Sequence, residues 1–178
     1  GYRKMADALL SRGMIEEAIQ HFKRALEINP ALREAHSSLL MALNYTVDYP
    51  QARIFEEHKR FGQAIEFTPL GTPAHGGKCL PPRRLKIGYV SADFYKHVVA
   101  SFIEPILAHH DRQQFEIFCY YNNTIIDFVT QWLQQFVDHW CYCADYSDEA
   151  LADQIRTDQI DILVDLSGHT WGNRLPVF

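Results

Sequence analysis

Apolar residues recur at helical spacing in the first third of the chain and in short continuous runs thereafter, so two kinds of architecture are expected in series. Tyr2, Met5, Ala6 and Leu9 fall at i, i+3, i+4 and i+7 of one helix face. Gly13 interrupts the pattern, which resumes through Ile15, Ala18, Ile19, Phe22, Ala25 and Leu26 until Pro30 stops it. A third helix is predicted from Ala31 to Leu43, after which Asn44, Tyr45 and Asp48-Tyr49-Pro50 break the spacing. A further helix follows from Gln51 to about Phe67. Thr68-Pro69-Leu70-Gly71-Thr72-Pro73, Gly76-Gly77 and Pro81-Pro82 then mark a linker.

Beyond the linker the period changes. Leu85–Val90, Phe115–Tyr120, Trp140–Cys143 and Ile160–Leu166 read as buried strands. Helices are predicted between them at Ala100–His110, Phe128–Val137 and Asp148–Thr157. Strands alternating with helices at this spacing predict βαβ units and a parallel sheet. The small and aromatic residues Ala18, Phe22 and Ala25, with Pro30 closing the hairpin, resemble one tetratricopeptide repeat and the start of a second. The fold expected is an α-helical tetratricopeptide segment followed by a partial α/β Rossmann-like domain. Its divisions are the end of a repeat array (1–44), a helical connector and linker (45–83), and the incomplete first part of the α/β domain (84–178). Repeats stack in arrays of three or more, so further repeats are expected before Gly1, and the α/β portion also reads as cut short.

Composition narrows the function. Hydrophobic residues at 47% and charged residues at 22% predict a packed core rather than a disordered chain. A net charge of -5 argues against a nucleic-acid partner, which usually meets a basic excess. The most apolar stretch, Val98 to Ala108, is interrupted by Glu104 and Pro105, so no membrane partner is expected. Four cysteines without a secretory leader read as reduced thiols of a cytoplasmic protein, and the Asn122-Asn123-Thr124 sequon as chance.

In open α/β sheets, ligands bind beyond the carboxyl ends of the strands where strand order reverses. For an order 3-2-1-4 that selects the loop after the first strand, Ser91 to His97, and the loop after the fourth, Ser167 to Arg174. Asp93 is a candidate proton acceptor or equally the N-cap of the next helix. His97 is a candidate general base or sugar and phosphate contact, with a plain surface histidine as the alternative. Gly168 and Gly172 around His169-Thr170 allow close approach to an anionic ligand, with Arg174 as a phosphate partner, although a simple glycine-rich turn fits as well. His139, Cys141 and Cys143 alternate along a strand but lack a second ligand pair, so they are read as core and no metal is expected. His109-His110 closes a helix and reads as structural. No G-x-G-x-x-G, P-loop or G-x-S-x-G sequence is present.

Together the repeat, Ser38–Tyr45, Phe55–Gly62, Arg84–Phe94 with His97, Phe115–Tyr120 and Asp161–Thr170 resemble the SPINDLY-type family of protein O-linked N-acetylglucosamine transferases. The resemblance implies an inverting, metal-independent transferase of the two-Rossmann type that needs no cofactor and moves N-acetylglucosamine from UDP-GlcNAc to Ser or Thr of proteins. Acceptor proteins or peptides would be bound by the repeat superhelix. It also implies that His97 is the active-site histidine of the D-F-x-x-H run and that Asp93 helps deprotonate the acceptor. Gly168, His169, Thr170 and Arg174 would form the loop facing the donor and acceptor cleft. Many relatives carry a histidine where this chain has Gln63-Ala64-Ile65. The family's second Rossmann half, which holds most donor contacts, lies outside the sequence, so the fragment alone is expected to be inactive. A tetratricopeptide scaffold with an inactive α/β remnant and a GDP-fucose-using O-fucosyltransferase are the competing expectations.

Overall fold

The computed structural model describes residues 1–47, 49–65 and 83–178. The predicted linker, the last turn of the predicted Gln51 to Phe67 helix, Asp48 and Cys79 lie outside them. The chain divides into two compact units, Gly1–Ala74 and His75–Phe178.

Unit one is helical: α1 (Tyr2–Ser11), α2 (Ile15–Ile28), α3 (Arg33–Leu43) and α4 (Gln51–Ala64). The first turn is built on Gly13, whose φ of 75° is easy for glycine alone, and Met14 N–H reaches back to Leu9 O at 3.0 Å to close the helix end. Ala6, Ala18 and Ala35 are fully buried, so small side chains let the helices approach closely while Phe22, Leu40 and Leu43 fill the space between them. The face predicted for α1 is only half covered within this unit: Ala6 is buried, while Tyr2 and Met5 stay 43% and 54% exposed.

Unit two is a four-stranded parallel sheet of order β3-β2-β1-β4, made of β1 (Leu85–Ser91), β2 (Phe115–Tyr121), β3 (His139–Tyr142) and β4 (Ile162–Asp165). Helices α5 (Val98–His109), α6 (Phe128–Gln134) and α7 (Asp148–Asp158) connect them. β1 and β2 occupy the centre and are buried from their third residue onward. Alternation then sorts their side chains into two cores. Ile87, Tyr89, Ile117, Cys119 and Tyr121 join α5 and Leu133 of α6 on one face. Val90, Phe118 and Tyr120 meet Leu151, Ala152 and Ile155 of α7 on the other. Gly88 leaves little room on that second face: a Cβ there would lie 3.0 Å from both Leu163 Cδ1 and Tyr120 Cε2, and those side chains would have to give way.

Several element ends differ from the sequence reading. The fourth strand starts at Ile162 rather than Ile160, because Gln159 turns left-handed (φ 57°) and Ile160 N–H closes α7 on Ile155 O at 3.3 Å. α6 stops at Gln134 rather than Val137: Gln135 and Phe136 donate to carbonyls three residues back, and Asp138 already serves the sheet by accepting from Ile117 N–H at 2.8 Å. α5 ends at His109, whose Nδ1 donates to Pro105 O at 2.7 Å. The next ring, His110, bonds Tyr89 Oη at 2.8 Å.

Candidate functional site

β1 ends at Ser91, whose Oγ accepts from Asp93 N–H at 3.0 Å, and the chain then dips inward. Ala92 and Phe94 are fully buried, and the Phe94 ring packs 5.4 Å from Trp140 and 5.8 Å from Tyr121. That anchor holds Asp93 at the end of the central strand with its side chain only 11% exposed. Burial pushes its carboxyl above the ordinary range, and the neighbouring His97 pulls partly the other way.

His97 follows one helical turn later, in extended backbone, as the N-cap of α5. The alternative that Asp93 caps this helix is thus corrected: the cap is His97, whose Nδ1 accepts from Val99 N–H at 3.3 Å. This hydrogen bond assigns the neutral ring's proton to Nε2, which makes His97 a donor toward anything bound in front of it. Its Nδ1 also lies 3.8 Å from Asp93 Oδ2, so the two side chains are neighbours at this end of the sheet.

The loop after β4 is shaped by Asp165, which accepts from Ser167 N–H at 3.2 Å and Gly168 N–H at 2.6 Å. Ser167 O in turn accepts from both Thr170 N–H (3.1 Å) and Thr170 Oγ1 (2.8 Å). Gly168 and Gly172 both take positive φ, 55° and 74°. His169 is half-buried, and Thr170 and Trp171 are exposed. Gly172 passes so near the first loop that a Cβ on it would sit 2.7 Å from Ala92 Cβ. The two loops that the sequence singles out therefore meet beside Asp93, at the carboxyl end of the sheet.

Arg174 has a different place from the one the sequence offers. Its guanidinium, on a side chain 11% exposed, points inward to Asp148 Oδ1 (2.8 Å), Asn122 Oδ1 (2.8 Å), Cys143 O (3.0 Å) and Tyr146 O (2.6 Å). This ties the loop after β4 to Asn122 after β2 and to the Cys143–Asp148 stretch, and every one of these contacts is to a protein acceptor. Asn122 completes the tie by donating to Gly172 O at 2.7 Å. Next to it, buried Asn123 donates to Ala92 O at 2.9 Å, and Asp127 accepts from Lys96 N–H at 2.8 Å. Of these, Asn122 and Asn123 read from the sequence only as part of a chance sequon, and Asp127 is not singled out there. The usable signal was their position directly after a strand, on the rim where ligand loops gather.

His139, Cys141 and Cys143 do not gather as a metal site. The His139 ring stacks on Phe118 at 4.1 Å and bonds Glu116 at 2.8 Å, while Cys143 is buried in the α7 core, where burial pushes its thiol up to about 12. Among the described residues, no helix is long and apolar enough to cross a membrane.

Residues 68–178 match the model of glycosyl transferase family 41, and residues 6–39 match a TPR repeat model. The chain belongs to glycosyl transferase family 41. It is 32% identical over 162 residues to a rice (Oryza sativa subsp. japonica) protein described as probable UDP-N-acetylglucosamine--peptide N-acetylglucosaminyltransferase SPINDLY, covering 88% of this chain and 17% of that one. The protein of the same description from Arabidopsis thaliana is 34% identical over 155 residues, with 84% and 17% covered. Among solved structures, the K341M mutant of Thermobaculum terrenum O-GlcNAc transferase superposes with a TM-score of 0.89 at 34% identity, over 99% of this chain and 34% of that chain. The family-41 chain thus consists of a tetratricopeptide segment and a Rossmann-like sheet, and it spans about a sixth of the length of the curated relatives it matches.

Proposed function

We propose that this chain supplies the acceptor-activating part of an inverting, metal-independent O-GlcNAc transferase that uses UDP-GlcNAc and the Ser or Thr hydroxyls of proteins. The observation that carries the reading is the meeting of the Asp93 and His97 loop with the Gly168–Gly172 loop beyond the sheet, within a family-41 chain. In the reaction, the hydroxyl oxygen attacks the anomeric carbon opposite the diphosphate. The bond from that carbon to the phosphate oxygen breaks, and its electron pair leaves with UDP. The hydroxyl proton passes to the Asp93 carboxylate, whose burial makes it a stronger base than an exposed one. His97 orients the acceptor or the sugar through Nε2–H. The positive-φ glycines Gly168 and Gly172 let the loop backbone come close to the departing diphosphate. Tetratricopeptide helices hold the acceptor protein, in a cytoplasmic setting.

The test is transfer from radiolabelled UDP-GlcNAc to Ser/Thr peptides by the native protein containing this chain, with EDTA present and GDP-fucose run in parallel. The expected result is sugar on hydroxyl oxygen in the inverted configuration, released UDP and no sensitivity to EDTA. Asp93→Asn and His97→Ala should each lower kcat by about a hundredfold or more. Exclusive use of GDP-fucose, or full activity in both variants, would overturn the reading.

A further inference from the structure

Asp127 lies outside the pair assigned above, yet it touches the segment that carries that pair. Its Oδ1 accepts from Val129 N–H (2.9 Å), Thr130 N–H (3.0 Å) and Thr130 Oγ1 (3.2 Å), the arrangement of a helix N-cap. Thr130 Oγ1 accepts in return from Asp127 N–H at 3.3 Å, completing a capping box on a fully buried threonine. The other oxygen, Oδ2, faces away from the helix and accepts from the Lys96 backbone N–H at 2.8 Å. At the opposite end of the same segment, buried Asn123 grips Ala92 O at 2.9 Å while its own Oδ1 accepts from Thr124 and Ile125 N–H.

We propose that Asp127 is a positioning residue for the Asp93 and His97 pair: it clamps the main chain at Lys96, one residue before His97, while Asn123 holds Ala92, one residue before Asp93. A helix cap needs one carboxylate oxygen. The second oxygen is free to fix a loop from another part of the sheet, and a charged acceptor on a backbone N–H makes a stronger bond than a neutral one. Desolvation pushes the Asp127 carboxyl up, but the hydrogen bonds from Thr130, Lys96 and Val129 outweigh it and hold it below the ordinary carboxylate range. The clamp reaches the chemistry through distances already given. Moving Lys96 moves the His97 backbone, the Val99 N–H bond to Nδ1 and the separation of Nδ1 from Asp93.

The cap and the clamp can be separated. Asn and Ser cap helices about as well as Asp, so Asp127→Asn and Asp127→Ser keep α6. Asn then presents an amide donor to the Lys96 N–H donor, and Ser has a single oxygen. In the 178-residue chain, both variants should melt close to the parent. Lys96 amide exchange should quicken by about tenfold or more, and the His97 ring nitrogen signals should move away from the Nε2–H tautomer. Asp127→Ala should lose both cap and clamp and melt lower. If Lys96 exchange and the His97 ring are unmoved in both capping variants, Asp127 is only a helix cap and the proposal fails. Its catalytic consequence rests on the transfer reading: kcat about tenfold lower with KM for the donor unchanged. The NMR readouts involve no nucleotide sugar, so the clamp and the transfer reading can fail separately.

Discussion

Gly172 sits where the main chain has no room for a side chain. Its φ of 74° is disfavoured for any residue with a Cβ, and that Cβ would meet Ala92 at 2.7 Å. Gly172→Ala should therefore destabilise the unit by about 1–3 kcal/mol, read as a lower denaturant midpoint, and depress transfer by pushing the two loops apart. Asp93 presents the opposite balance. Burial raises its folded-state value above the unfolded one, so its favourable contribution is complete below the ordinary aspartate range and is lost as pH rises through the raised value. At neutral pH the ionised side chain thus costs stability. Asp93→Asn should melt higher than the parent at pH 7 while losing transfer, and the gain should shrink as both proteins are acidified. A variant that melts lower at pH 7 would mean that the carboxylate is held by favourable contacts instead. The same raised value predicts that the acidic limb of kcat/KM lies above the ordinary aspartate range and disappears in Asp93→Asn, where proton uptake no longer limits the rate.

At the scale of elements, β1 is tied to α5 by Tyr89, whose hydroxyl bonds His110 at 2.8 Å across the helix C-terminus. Burial disfavours the charged imidazole, so the His110 value is lowered in the folded state. A histidine lowered in this way contributes stability above its unfolded value and loses it as pH falls from there toward the folded value. Thermal melts from pH 7.5 down to pH 5 should therefore fall in the parent and fall less steeply in His110→Asn; parallel slopes would remove His110 from the account. The strands and helices themselves were readable because each buries a face at its own period: 87, 89 and 117, 119, 121 alternate in β1 and β2, and Ala18, Phe22 and Ala25 recur in α2. Their ends were less so. The left-handed Gln159 closes α7 and shortens β4, and Asp138 takes a sheet N–H just after α6; both depend on partners far away in sequence. The cap of α5 was left open in the sequence, with Asp93 as one candidate, for a related reason. Asp93 is the commoner capping residue, but Phe94 is drawn into the core first, and the helix does not begin until His97 has turned outward.

Across the whole α/β unit, local pattern located the two loops but not what joins them. Strand order could be anticipated, and with it the rim where the first and fourth loops lie, whereas Arg174 could be read only as a free cation near a glycine-rich turn. In the folded unit that one side chain meets α7 at Asp148, the end of β2 at Asn122, and the carbonyls of Cys143 and Tyr146 after β3. Sequence separations of 26 to 52 residues between these groups explain why no motif announced the tie. A nearly buried guanidinium with four acceptors is a demanding arrangement. Lysine offers three donors on one nitrogen in place of a planar fork and cannot reach the same set. Arg174→Ala leaves Asp148 and Asn122 without this partner and should cost about 3 kcal/mol or more, with Arg174→Lys recovering only part of it. The distinguishing measurement is where the damage spreads. If Arg174 is the tie between loops, amide exchange in Arg174→Lys should quicken at Gly172 and at Cys143–Tyr146 together, while the β1 and β2 core stays protected. Exchange that quickens uniformly across the sheet would show instead that Arg174 supports global stability, and the convergence of the two loops would then rest on Asn122 and the Gly172 and Ala92 contact.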